Sequence, residues 1–340
     1  MTSVKRFRVD REPTDDQLGR GAFVFTDDYS VFDWGAMPDE IPEKGKSLCT
    51  MGAYSFELLE AEGLDTHYRG VVGAAGEAVE LDAAEAAPRE MAIDLTAAPP
   101  LPHDGRDYDY DAFFAATGDH YLIPLEIVFR NRVPVGSSLR RRTEPADHGL
   151  EVDAWPDEPI ELDEPIIEFS TKFEAADRYL DRADADRIAG AADLGELEEI
   201  ARRVNRVVTE LAADGGLVHE DGKIECLYDD GTIRVADVVG TLDENRFSYE
   251  GRQLSKEVVR QFYKREQPDW VDAVADAKAE ARARDSTEWR ALVGVEPMPL
   301  PPRILSGVAD LYRAGANAYT GRDWFEAPGL PAALGAVEAA

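Results

Sequence analysis

Asp221-Gly-Lys223-Ile-Glu225 sets an acid, a cation and a second acid at alternate positions. In a strand, residues i, i+2 and i+4 leave from one face, so these three charges would project together. Asp237 interrupts the nearby apolar run Val235-Ala-Asp-Val-Val239 on the expected partner strand. An acid there is costly unless it is paired or holds a cation. Glu225 with Asp237 suits Mg2+, which takes one or two carboxylates and fills its shell with phosphate oxygens and water. A solvated edge face is the structural alternative in so acidic a chain.

Three further groups carry chemistry. In Pro124-Leu-Glu126-Ile-Val-Phe-Arg130-Asn-Arg132, Glu126, Val128, Arg130 and Arg132 share a strand face, and Gly136-Ser137-Ser138 follows. A guanidinium beside a Gly-Ser turn can fork two phosphate oxygens while backbone N–H and hydroxyl complete a cradle. Alternatively, Arg130 pairs with Glu126. Asp27 and Ser30 stand at a strand end, ahead of Lys44-Gly-Lys46 at a helix start, where an anion is favoured. Asp243 and Arg246 precede Lys256 and Arg260, which lie four apart on one helix face.

The elements that position these groups read as follows. Residues 19–33 run from a Gly-rich turn into a strand, and 46–59 has helical apolar spacing. Residues 73–118 are Ala-, Pro- and acid-rich, a weakly structured excursion with a strand at 91–95. A strand follows at 121–130, then loop over 144–165 and one helix over 184–211. Strands 217–228 and 232–240 form a hairpin through Asp229-Asp230-Gly231. Helices are expected at 255–265, 268–293 and 304–319. Strands early and helices late favour an α+β fold over a parallel sheet.

With 69 acidic against 37 basic residues in 340, the net charge is −32. That disfavours binding to a nucleic-acid polymer or to an anionic membrane. No run of about 18 apolar residues occurs, and residues 1–16 lack a secretory apolar segment, so a soluble cytoplasmic protein is expected. The 37 basic residues are 29 Arg and 8 Lys, a Lys-poor acidic surface that fits work in high salt. Two cysteines and five histidines without metal spacing argue against transition-metal chemistry.

The order FTDDYSVFD (25–33), PEKGK (42–46), PLEIVFRN (124–131) with GS (136–137), STK (170–172), DGKIE (221–225), Asp237, Asp243 with Arg246, and SKEVVR (255–260) resembles the SAICAR synthetase family. The resemblance runs from about residue 19 to 325. It implies a ligase that uses ATP and Mg2+ to join L-aspartate to carboxyaminoimidazole ribonucleotide through an acyl phosphate. The fold it implies is α+β with antiparallel sheets. An ATP cleft would lie between a smaller nucleotide-binding part (1–122) and a larger part (123–340).

Carried over by position, Glu225 and Asp237 match the metal carboxylates and Lys223 the lysine facing the phosphates. Glu126 matches the stretch beside the adenine. Arg130, Ser137 and Arg246 match residues holding the ribonucleotide, and Asp27, Ser30, Lys44 and Lys46 line the cleft. Asp221 and Asp243 are expected to orient Lys223 and Arg246 respectively, with Lys172 and Lys256 as contributors. The chain departs from the family in four ways. Lys5 stands where a phosphate-loop lysine is usual, and residues 96–120 are inserted after Met91–Leu95. One extra residue before Gly-Ser leaves Ser137 and Ser138 as alternatives, and Cys226 follows the DGKIE motif. A small-molecule kinase, or a non-catalytic nucleotide-binding protein, would keep the metal carboxylates without needing a second phosphate clamp. Oligomeric state, a homo-oligomer included, stays open.

Overall fold

The computed structural model describes residues 4–14, 16–284 and 286–338. Its first part comprises Lys5–Arg11 (β1), Gly19–Phe25 (β2), helix Lys44–Ala61 (α1), Tyr68–Val72 (β3), Ala78–Val79 (β4) and Glu90–Leu95 (β5). These strands form an antiparallel sheet in the order β1-β2-β5-β3-β4. Gly45 lets the first turn of α1 lie against the end of β2, since a Cβ there would sit 2.8 Å from the carbonyl oxygens of Phe25 and Thr26.

A small hairpin, His103–Asp104 (β6) with Asp107–Tyr108 (β7), and helix Tyr110–Thr117 (α2) link the two sheets. The second sheet comprises His120–Leu122 (β8), Leu125–Val133 (β9), Ile160–Thr171 (β10), Val218–Asp229 (β11), Thr232–Ala236 (β12), Asn245–Tyr249 (β13) and Arg252–Gln253 (β14). Its order is β10-β9-β11-β13-β14. Near its start β11 pairs with β9 and β13, and near its end with β12 and β8. Because β8 already pairs in this sheet, the expected division after residue 122 separates it from its partner. Helices Arg182–Ala189 (α3) and Leu194–Asp214 (α4) lie between β10 and β11. Glu257–Glu266 (α5), Pro268–Ala283 (α6), Pro302–Thr320 (α7) and Leu330–Glu338 (α8) follow β14. No described helix is long and apolar enough to cross a membrane.

Several expected boundaries move, each for a local reason. The single helix at 184–211 is two helices. Gly190 has φ 72° and ends α3, while the Asp193 side chain caps α4 by accepting from the Glu196 N–H at 2.8 Å. The helix expected to reach 293 stops at Ala283. Residues 160–164, expected as loop, begin β10, paired through Ile160 and Glu161 with Val133 and Arg132. The excursion at 73–118 is ordered around its aromatic residues. The Tyr110 hydroxyl donates to Glu174 at 2.9 Å, and the Tyr108 hydroxyl accepts from the Ala175 N–H at 2.8 Å. The Phe113 and Phe173 rings are 5.5 Å apart. β12 ends at Ala236, because Asp237 takes the left-handed conformation with φ 63°. Gly222, inside β11, has no room for a Cβ: one would fall 1.9 Å from Asn245 Oδ1.

A buried ion pair pins the two parts together. Lys44, at the start of α1, lies 2.8 Å from Asp243 in the β12–β13 connection, and both side chains are almost wholly buried. Asp243 also accepts from the Tyr312 hydroxyl of α7 at 2.6 Å. Burial pulls the Lys44 pKa down. Burial pushes Asp243 up, but Lys44 and Lys256 outweigh it and hold the carboxyl well below its ordinary range. Removing one partner of such a pair strands the other, at a cost of about 3–5 kcal/mol. Asp243→Asn is therefore expected to lower the urea midpoint strongly at pH 7 in molar KCl. Because the folded pKa of Asp243 is depressed, its stabilisation is present above the unfolded value of about 3.9 and lost as pH falls below it. The gap between wild type and variant should narrow below about pH 4. Equal midpoints at pH 7 would contradict the pin.

Candidate active site

One face of β11 carries Asp221, Lys223 and Glu225, and the structure surrounds each with opposite charge. At the Asp221 end, Arg246 Nε of β13 donates to Asp221 Oδ1 at 2.7 Å, and its Nη2 contacts Oδ2. Arg130 of β9 donates from Nη1 to Asp221 Oδ2 at 3.3 Å, from Nε to Glu168 at 2.7 Å and from Nη2 to the Tyr179 hydroxyl at 3.1 Å. Burial lowers the Arg130 pKa, but Glu168, Tyr179 and Asp221 outweigh it and hold the guanidinium above its ordinary value. Arg130 therefore pairs with Glu168 rather than with Glu126. Asp221 orients Arg246 and Arg130, not Lys223, and Asp243 orients Lys44, not Arg246. The reason is register: Asp221 lies directly between Arg130 on β9 and Arg246 on β13. Ser137, in the loop after β9, is buried and its Oγ accepts from the Leu139 N–H at 3.3 Å; Ser138 is less buried.

At the other end, lysines and carboxylates interleave. Lys223 contacts Glu126 of β9 and lies 3.5 Å from Glu244. Lys172 at the end of β10 contacts Glu225, and Lys5 of β1 contacts Asp237. Burial lowers the Lys223 pKa, but Glu244, Glu126 and Glu225 outweigh it and hold the ammonium well above its ordinary value. Glu126 moves the other way, raised chiefly by burial, because a single cation offsets its desolvation. Glu244 is pushed up by burial, yet Lys223, Lys256 and Lys5 outweigh this and hold its carboxyl low. Lys5 is shifted down by burial despite Glu225 and Glu244. His67 Nε2 lies 3.1 Å from the Asp237 carbonyl oxygen, and burial keeps the imidazole neutral with its pKa near 3. A neutral ring donating from Nε2 steadies the strained Asp237 backbone.

The first block divides. Lys44 is buried on Asp243, whereas Lys46, two residues on, is half exposed. Lys46 faces a separate recess of about 720 Å³, with Glu43, Arg313 and Trp324 among its walls. Asp27 is occupied structurally: it accepts from the Gly45 N–H at 2.9 Å and from both Arg89 Nη atoms at 3.0 Å. Ser30 Oγ accepts from the Gly35 N–H at 3.2 Å within the turn that follows β2. Lys256 begins α5 and acts electrostatically on Asp243 and Glu244.

Sequence reasoning missed Glu244, Glu168, Tyr179 and His67. Glu244 was visible as the second of two adjacent acids, two residues ahead of Arg246. Glu168 lay in the alternating stretch before STK, opposite Val128 on β9. Nothing local marks His67.

Glu225 and Asp237 offer hard oxygen donors of the kind Mg2+ takes, and each is paired with a lysine in this structure, Lys172 and Lys5 respectively. Among the described residues no group of three or more His, Cys, Asp and Glu is arranged to hold a metal. A cation bound here would need phosphate oxygens and water for the rest of its shell, which is characteristic of Mg2+. Cys49 and Cys226 are buried and free, outside any metal set.

The sequence model of the SAICAR synthetase family matches residues 13–277. An Archaeoglobus fulgidus relative, provisionally named phosphoribosylaminoimidazole-succinocarboxamide synthase, is 42% identical over 97% of this chain and 96% of its own. The phosphoribosylaminoimidazole-succinocarboxamide synthase of Thermoplasma acidophilum is 31% identical over 89% of this chain and 93% of its own. A SAICAR synthetase solved in complex with ADP is 25% identical, with a TM-score of 0.53 over 88% of this chain and 99% of that one. The Saccharomyces cerevisiae SAICAR synthase, complexed with SAICAR, shares the fold with a TM-score of 0.62 at 21% identity, over 96% of this chain and 95% of that one. The α+β architecture, the ordered motifs and these relatives agree: this chain belongs to the SAICAR synthetase family, the ATP-dependent ligases that join aspartate to a carboxylated aminoimidazole ribonucleotide in purine biosynthesis.

Proposed function

We propose that the two ends of the β11 face divide the reaction between them, with the ribonucleotide phosphate at Asp221–Arg246–Arg130 and the ATP phosphates at Lys223–Glu225–Asp237. The observation that carries this reading is the shared strand face itself. Asp221, Lys223 and Glu225 are spaced two residues apart, so a bidentate arginine clamp and a lysine–carboxylate cluster lie within one substrate's length. The ribonucleotide's phosphate would take the free donors of Arg130 and Arg246, with Ser137 beside them. Its carboxylate would then point along β11 toward Lys223. The part built on the five-stranded sheet would bring Lys5 to the same cleft, with α1 held beside it by the buried Lys44–Asp243 pair.

In the first step a carboxylate oxygen of the ribonucleotide attacks the γ-phosphorus of ATP, the bond to the β-phosphate oxygen breaks, and ADP leaves. In the second, the aspartate amine attacks the acyl carbon, the C–O bond to phosphate breaks, and the amine gives up a proton. Every reactant is an anion, so positioning and charge neutralisation are the enzyme's main contribution. Lys223, Lys172 and Lys5 are placed to take phosphate oxygens. Glu126 and Glu244 hold Lys223 charged. Mg2+ held by Glu225 and Asp237 would neutralise charge on the phosphates during transfer. The second phosphate clamp is what a small-molecule kinase has no use for. The acidic, Lys-poor surface fits a cytoplasm of high salt, and assays belong in molar KCl.

Lys223→Ala is expected to lower kcat by roughly 10²–10³, as for loss of one donor to transition-state charge. Its effect on ADP affinity, measured by calorimetry, should be much smaller. Equal losses in both would contradict the role. Arg246→Ala is expected to raise KM for the ribonucleotide by the equivalent of about 1.5–3 kcal/mol, with KM for ATP little changed. An unaltered ribonucleotide KM would reject the clamp.

A further inference from the structure

Behind Arg130 lies a closed ring of four side chains that the reaction as described does not use. Glu168 on β10 accepts from Arg130 Nε through Oε2 at 2.7 Å and from Arg142 Nη2 through Oε1 at 2.8 Å. The Arg142 guanidinium stacks over the Tyr179 ring, 3.4 Å from its centroid, and the Tyr179 hydroxyl accepts from Arg130 Nη2. Arg130 and Glu168 are largely buried, with side chains only 5% and 10% exposed.

The ring joins four pieces of backbone. Arg130 belongs to β9, Glu168 to β10, Arg142 to the loop that carries Ser137, just past its short 3-10 turn, and Tyr179 to the segment after β10. Glu168 lies opposite Val128, so its side chain reaches Arg130 diagonally across the ladder. A carboxylate is acceptor-only, with two oxygens able to serve two cations, and Glu168 uses one oxygen for each arginine. Of the five N–H donors of Arg130, Glu168, Asp221 and Tyr179 engage three. Among the described residues two remain without a partner, one on each Nη, and donors on both Nη atoms are what an end-on phosphate takes.

We propose that Glu168, with Arg142 and Tyr179, is a positioning residue for ribonucleotide phosphate recognition. It fixes the plane of the Arg130 guanidinium and ties the Ser137 loop to that plane. This rests on the reading of Arg130, Ser137 and Arg246 as the phosphate clamp. Glu168 touches no substrate in this scheme; it acts through the two arginines. An amide cannot replace it, because a glutamine would present an N–H to one of them.

The test is steady-state kinetics of the full chain in molar KCl, with carboxyaminoimidazole ribonucleotide and with its 5′-dephosphorylated riboside. Wild type, Glu168→Gln, Glu168→Ala and Tyr179→Phe are compared. Glu168→Gln keeps the shape, so it carries the test should the alanine variant fail to fold. The expected result is a rise of about 10-fold or more in ribonucleotide KM for both Glu168 variants, with a smaller rise for Tyr179→Phe. KM for ATP and for aspartate should stay within about twofold, and kcat/KM for the riboside should hold, because the lost contact acts on the phosphate alone. An unchanged ribonucleotide KM in Glu168→Gln overturns the proposal. So does an equal rise in all three KM values, which a merely structural role would produce. A wild type that handles ribonucleotide and riboside alike would instead sink the clamp reading, and this proposal with it.

Discussion

Charge that must be neutralised on the face of a central β-strand is the constraint from which the rest of the structure follows. β11 lies inside the sheet, bonded on both sides at Asp221–Gly222 and Leu227–Asp229, and its charged face is covered: Asp221 and Glu225 are buried and Lys223 is largely covered. Each needs a partner from a neighbouring element. β9 and β13 supply arginines to Asp221, β9 and the β12–β13 connection supply acids to Lys223, and β10 supplies Lys172 to Glu225. The sheet order β10-β9-β11-β13 is therefore also the order in which the counter-charges are delivered. Lys5 arrives from the other sheet, and the buried Lys44–Asp243 pair holds the two sheets close enough for it to reach.

The periodicities that made this legible were those of strands. Alternation in DGKIE and PLEIVFR placed the charged faces correctly before any coordinates, as did the turn at Asp229-Asp230-Gly231 for the β11–β12 hairpin. Partner choice was not legible, because it depends on register between strands far apart in sequence. For that reason the expected partners, Lys223 for Asp221 and Arg246 for Asp243, differ from the observed ones, Arg246 and Arg130 for Asp221 and Lys44 for Asp243. Lys44 and Lys46 looked equivalent in KGK, but two helical positions are about 200° apart, so one is buried and the other faces a different recess. β10 was missed: residues up to 165 read as loop because of Pro159 and Pro165, and 166–171 carried no element, although an edge strand tolerates proline. The helix break at Gly190 needed the Phe114 ring, which fills the space a Cβ there would take.

The insertion after β5 shows how a poorly patterned segment acquires order. Residues 96–119 have little periodic signal, yet Tyr108, Tyr110 and Phe113 dock onto residues 173–175. Those residues directly follow Lys172, which holds Glu225. The insertion thus braces the backbone from which one of the cluster's lysines reaches. Its order comes from long-range aromatic contacts, which composition alone does not reveal.

Net charge and site charge pull in opposite directions, and the architecture separates them. A surface carrying most of a −32 excess repels ATP and a ribonucleotide in dilute buffer, and its screening length shrinks to about 3 Å at molar salt. The cations proposed to receive these anions are shielded from that same screening by burial. Arg130 and Lys5 are almost inaccessible, and Lys223 is largely covered. Salt therefore weakens the repulsion outside the cleft far more than the attraction inside it. Such a division requires the cleft's lysines and arginines to be fixed by buried carboxylates, not by solvent. That is why Glu126, Glu168, Asp221 and Glu244 stand behind the cations. High local acid content around a site for anions is here the means of keeping its cations in place.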